Sequence, residues 1–171
     1  MGVKYTTKRD EYPKVVKQLQ LLNGKSVEVG VFNGEHAWLA GIHEYGVDIE
    51  VTPEMRAYLH RQGLHLKKST THIHIPERAF LRNGYDQNRD EILDKASRLL
   101  ADVSAGKMTA EACFKAVGLD LASAIKDYAR DLKDPPNHPF TIEQKGSSNP
   151  LVGGSDDSGS MIGGISWRVA E

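Results

Sequence analysis

With 171 residues and one cysteine, Cys113, the chain has the length of a single domain and no means of forming an intramolecular disulfide or a multi-cysteine zinc site. Lys plus Arg number 22 against 23 Asp plus Glu, which excludes the bulk basic charge of a protein that coats nucleic acid or an anionic membrane. No apolar run approaches the ~20 residues that cross a bilayer, and the opening MGVKYTTKRDEYPK lacks an apolar stretch of signal-peptide length, so the expectation is a chain that begins in the cytoplasm with no membrane partner.

Residues 10–22 read as a helix, because Val15, Val16, Leu19 and Leu22 fall on one stripe, with Asp10 as the cap and Pro13 in the first turn. Asn23-Gly24 stops it, and Ser26 to Phe32 alternates as a half-buried strand with Val27, Val29 and Val31 on one face. Ala37, Trp38, Ala40, Gly41, Ile42 and Tyr45 suit a compact helix, ended by Gly46, whose small residues would let its backbone lie close to a sheet. Residues 47–75 read as an arm or long hairpin: β-like alternation at Val47 to Thr52 and at Thr70 to Ile75 flanks a helical turn over Pro53 to Arg61. From 51 to 82 there are six Lys/Arg against Glu54 and Glu77, so this region is locally basic. Pro76 then leads into Glu77 to Arg82 as an extended, partly apolar link.

Two longer helices follow. In the first, Ile92, Leu93, Ala96, Leu99, Leu100 and Val103 form a stripe after an Asp86 cap and before Gly106. In the second, Thr109 caps a run in which Phe114, Val117, Leu121, Ile125, Tyr128 and Leu132 recur three or four apart, and Pro135-Pro136 stops it. Gly118 inside that helix costs roughly 1 kcal/mol against Ala, which predicts a close crossing by another element. Phe140 to Glu143 and Ile165 to Val169 read as short strands. Between them lies a tract rich in Gly and Ser, expected to be an adaptable loop over 146–164. The order argues for an α+β fold in one domain, 1–171: a small, mainly antiparallel sheet against two long helices, with the arm inserted at 47–75.

Chemistry is sparse. His43-Glu44 opens like a zinc-protease motif, but position 47 is Val where the second histidine would stand. His72 and His74 share a strand face and could meet a metal only if acidic ligands joined them from elsewhere; the expectation is no metal and no cofactor. Cys113 sits in an apolar helical run and reads as an inert core thiol. Ser155, Ser158 and Ser160 near Asp156 and Asp157 lack the fixed setting a triad needs, and neither Gly153-Gly154 nor Gly163-Gly164 matches a nucleotide fingerprint. Arg56, Arg61, Lys67 and Lys68 with Tyr58 could form a small nucleic-acid patch, against the plainer reading of a solvated or subunit-facing arm.

The blocks AWLAGIHEYG (37–46), VTPEMRAYLHRQGLHLKKSTTHIHIPERAFLR (51–82), PPNHPFTIEQKGSSNPLV (135–152) and DSGSMIGGISWRV (157–169), in this order and spacing, resemble the tailed-phage tail-completion or virion-morphogenesis proteins, a family similar to the lambda minor tail protein Z. The likeness covers most of the chain from residue 27 onward, and the 47–75 arm resembles that of a Mu-like subset. Where family members run directly from the Pro-Leu block into an Asp-Thr-Gly turn, this chain inserts Gly153-Gly154-Ser155-Asp156.

The resemblance implies a non-enzymatic structural component of the phage neck. It would complete the head-proximal end of the tail and allow head–tail joining, in the virion after assembly in the host cytoplasm. Implied partners are copies of itself, as a homo-oligomer or ring, and the neighbouring tail-terminator, tail-tube and head-completion proteins, with genomic DNA passing close by. On this reading Met55, Arg56, Tyr58 and Leu59 in the arm, with Met161, Ile162 and Trp167 near the C-terminus, are the expected interface residues. The competing expectations are a nucleic-acid-binding module that uses the arm, a tail terminator or head–tail connector of the same neck, and a metal-dependent hydrolase centred on His72 and His74.

Overall fold

The computed structural model describes residues 11–152 and 161–171, in the order α1 (Tyr12–Leu22), β1 (Ser26–Val31), α2 (Gly34–Tyr45), β2 (Val47–Glu50), α3 (Pro53–Arg61), β3 (His72–Ile75), α4 (Phe80–Ser104), α5 (Ala110–Asp131), α6 (Pro139–Lys145) and β4 (Ile165–Ala170). The class is α+β, and the described strands form two separate antiparallel ribbons. β1 pairs with β4 from Ser26 opposite Ala170 to Val31 opposite Ile165, and β2 pairs with β3 from Val47 opposite Ile75 to Glu50 opposite His72.

α4 and α5 form an antiparallel helical hairpin, and α5 is the hub: α4, α1 and the β1–β4 ribbon all pack on it. The core joins Ile92 of α4 and Leu121, Ala122, Ile125 and Ala129 of α5 to Phe80, Leu151, Met161, Ile162 and Ile165. Two glycines permit close approaches to or by α5. A Cβ on Gly84 would sit 3.3 Å from the Ile125 Cα, so α4 and α5 nearly touch there. A Cβ on Gly118 would fall 2.4–2.6 Å from ring atoms of Trp167, so β4 presses its indole onto the α5 backbone, the crossing expected from the sequence. Thr109 caps α5, its Oγ1 accepting from the Ala112 N–H at 3.2 Å, and Gln18 of α1 accepts from the Ala110 N–H at 2.8 Å.

The structure corrects three expectations. The link from Glu77 to Arg82 is helical from Phe80 onward, so α4 starts six residues before Asp86 and is not capped by it. Phe140 to Glu143 is no strand but part of α6, which has Pro139 in its first turn and the His138 Nδ1 accepting from the Phe140 N–H at 3.2 Å. Gly41 does not bring α2 against a sheet, because a Cβ there would meet open space. Within the Gly/Ser tract, Pro150, Leu151, Met161 and Ile162 are buried, while Gly146 and Ser148 are exposed. Asp10, the 153–156 insertion and the serine and aspartate cluster up to Ser160 lie outside the described residues.

Candidate assembly interface and the junction that carries it

The arm consists of β2, α3, the following loop and β3, and among the described residues its two strands pair only with each other. Thr52 caps α3 through the Met55 N–H, and Pro53 sets the first turn. Arg56 ties the helix to the return loop: Nη1 donates to the carbonyls of Leu66 (3.3 Å) and Lys67 (2.9 Å), and Nη2 to that of Thr70 (2.6 Å). Met55 and Leu59 are half-buried inside the arm, whereas Tyr58 is 55% exposed.

The root of the arm is a dense polar junction. Gly46 ends α2 with φ +71°, and a Cβ there would lie 2.8 Å from the Glu77 N and 2.9 Å from the Ile75 O, so only glycine fits between the strand β3 exit and α2. Beside it Glu44, 3% exposed, takes the N–H groups of Leu81 (2.8 Å) and Arg82 (3.2 Å) and the Arg82 Nε–H (2.8 Å). The N-cap position of α4 is Ala79, which has no capping side chain and a left-handed φ of +46°. Glu44 therefore supplies from α2 the anionic cap that α4 lacks locally, where unpaired N–H groups and the helix dipole favour negative charge. Arg82 also donates to the Glu44 carbonyl (2.9 Å) and to Glu77 (2.7 Å).

Arg78, 4% exposed, holds the opposite side. Its Nε–H donates to the Pro135 carbonyl (3.2 Å), Nη1 to His43 Nδ1 (2.8 Å) and Nη2 to Asn137 Oδ1 (2.9 Å), while its backbone N–H donates to the His43 carbonyl. Because a guanidinium only donates, His43 Nδ1 accepts, and the imidazole is neutral with its proton on Nε2. Burial, then the charges of Arg78 and Lys145, push the His43 pKa down to about 4. Asn137 and Lys145 both donate to the carbonyls of Asn149 and Pro150. Asn149 closes the other end of α5: its Nδ2 donates to the carbonyls of Ala129, Arg130 and Leu132, and its Oδ1 accepts from Leu151 and Val152.

Residues 43–46, 75–82, 135–137 and 145–152, far apart in the chain, thus interlock in one place. They fall within three of the four blocks quoted for the family resemblance, 37–46, 51–82 and 135–152. In the sequence Glu44 reads only as half of a failed zinc-protease motif, and Arg78, Asn137 and Asn149 have no assigned role, because the bonds that define them include ones to residues 37 (Glu44 to Leu81), 59 (Arg78 to Asn137) and 19 (Asn149 to Arg130) positions away.

The expected interface residues separate. Met161 and Ile162 are 3% and 0% exposed and belong to the core, and Trp167 is half-buried with its ring against Gly118. Arg56 is an internal clamp of the arm. Tyr58 remains as a presented side chain, joined by exposed Arg61, Lys67 and Lys68. On the β2–β3 ribbon, His74 Nδ1 lies 2.7 Å from Asp48 Oδ1, and the register sets Glu50 opposite His72. Among the described residues no group of three or more His, Cys, Asp or Glu is placed to hold a metal ion. Cys113 is buried, and burial raises its thiol pKa, which disfavours the reactive thiolate. No described helix is long and apolar enough to cross a membrane.

The chain matches no protein-family model, no curated protein and no solved structure.

Proposed function

We propose that this chain is a structural protein of the tailed-phage neck, present in the virion, which completes the head-proximal end of the tail and allows head–tail joining through contacts with copies of itself and with neighbouring neck proteins. The observation that carries the reading is the arm: a two-stranded ribbon tipped by a helix, paired with no other described strand and rooted in the Glu44–Arg78–Arg82 junction where three of the resembling blocks meet. A rigid root supports recognition, because an arm held in one orientation loses less conformational entropy when a partner seats on it. The polar groups best suited to chemistry, His43, Glu44, Arg78 and Arg82, bond to one another, to backbone and to the side chains of Glu77 and Asn137, which is structural work. A nucleic-acid role for the arm is weakened by Arg56, whose guanidinium is committed to three carbonyls and is withdrawn from phosphate binding.

The test is complementation. A phage whose genome lacks this gene is expected to leave separate filled heads and tails under negative-stain electron microscopy, with joining restored when the protein is supplied. Normal joining in its absence would end the reading.

A further inference from the structure

We infer that the arm of one copy of this chain docks, through Tyr58, Arg61, Lys67 and Lys68, into the groove between α4 and α5 of a second copy. The inference rests on the proposed role as a self-associating neck protein and gives that association a geometry.

The tip of the arm, residues 53–70, carries four Lys/Arg against Glu54 alone. Arg56 is spent inside the arm, but Arg61, Lys67 and Lys68 are exposed and make no ion pair with a described residue. Tyr58 and Arg61, three apart on α3, stand on the same exposed face. On the body of the molecule, the open groove of about 940 Å³ between α4 and α5 has the opposite character. Glu91, Asp120, Asp127, Asp131 and Asp134 line it, with Lys133 as the sole lining cation among the described residues. Lys95 pairs with Asp120 and Arg130 with Asp127, and Glu91, Asp131 and Asp134 have no cation partner among the described residues.

The groove also has an apolar floor of Ile92, Tyr128 and Leu132. That combination suits an aromatic ring flanked by cations: Tyr58 for the floor, Arg61 and the two lysines for the walls. The two surfaces are complementary in sign and in apolar character, and no residue of the arm lines the groove of its own chain. Complementary charge steers such an encounter and fixes its register. Since the donor and receptor patches differ, a repeated arm-to-groove contact is heterologous and builds rings or open chains.

The experiment is sedimentation of the full-length protein at about 50 and 500 mM salt, between which the Debye length falls severalfold. Self-association is expected at low salt and should weaken at least about tenfold at high salt. The variants K67E/K68E and E91K/D131K should each weaken it by about tenfold or more, and the chain carrying all four reversals should recover to within roughly threefold of the parent. All four positions are exposed, and circular dichroism should report unchanged folding. A parent that sediments as a monomer, reversals that leave association intact, or a quadruple variant that fails to recover each overturns the inference. So does arm-dependent binding of duplex DNA with self-association untouched by the same reversals. In phage complementation, joining that persists without the protein defeats the neck role even if the charge swap behaves as expected; a failed swap with joining still dependent on the protein defeats only this contact.

Discussion

His43 shows how much a single side chain near the arm root is bent to structural use. It accepts a hydrogen bond from buried Arg78, and burial together with the Arg78 and Lys145 charges lowers its pKa from 6.5 to about 4. The unfolded chain therefore takes up a proton near pH 6.5 that the folded chain refuses until about pH 4, so the unfolded state binds more protons across that window and acid favours unfolding. His43 contributes no penalty above pH 6.5, and stability is lost as pH falls from there toward 4. At about 1.4 kcal/mol per pKa unit, discounted because the ring is partly solvent-reachable, the loss is about 2 kcal/mol. Urea unfolding at steps from pH 7 to 4 should show the parent losing that much more than His43→Asn, whose amide oxygen keeps an acceptor near Nδ1 without a titrating ring. Parallel curves for the two proteins would remove His43 as the responsible group.

At the scale of elements, legibility followed the range of the interaction that forms each one. β1, α1, α5 and the Thr109 cap depend on neighbours within a few residues, and periodicity and cap chemistry revealed them. The first turn of α4 did not show, because Ala79 is no cap and the capping carboxylate comes from Glu44, 35 residues earlier. α6 did not show because seven residues with Phe140 and Ile142 alternating satisfy a strand pattern as well as a helix. Met161 and Ile162 looked like interface residues in a Gly/Ser tract, where burial against the α4–α5 hairpin leaves no local trace. The crossing at Gly118 was legible as a defect in a good helix, and it makes a sharp test of how β4 is held. Gly118→Ala would place a methyl group inside the Trp167 ring contact, so β4 must shift or the indole must leave, at a cost of about 1–3 kcal/mol. Trp167→Leu in the same chain should recover part of that loss, measured as a thermodynamic coupling, with Trp167 fluorescence in the single variant reporting the displaced ring.

For the whole molecule, the arrangement separates a body that folds around α5 from an arm that has its own pairing and its own clamp. β2 and β3 hydrogen-bond to each other, α3 is tied down by Arg56 to Leu66, Lys67 and Thr70, and the principal core lies entirely outside residues 47–75. The junction below the arm belongs to the body, since Glu44 caps α4 and Arg78 bridges to Pro135 and Asn137 whether or not the ribbon extends beyond Val47 and Ile75. Val47 and Ile75 are directly opposite each other in the antiparallel ribbon, the geometry that a two-residue hairpin turn closes. Replacing residues 48–74 with an Asn-Gly turn should therefore leave a body that unfolds cooperatively, its midpoint within about 5 °C of the parent, since little core area is removed. The same shortened protein should fail to restore head–tail joining if the arm is the working surface. A body that unfolds without the arm would mean that the arm is part of the core's support, and full joining by the shortened protein would move the working surface to another face, for which the exposed Trp38 and Tyr45 of α2 would then be the first place to look.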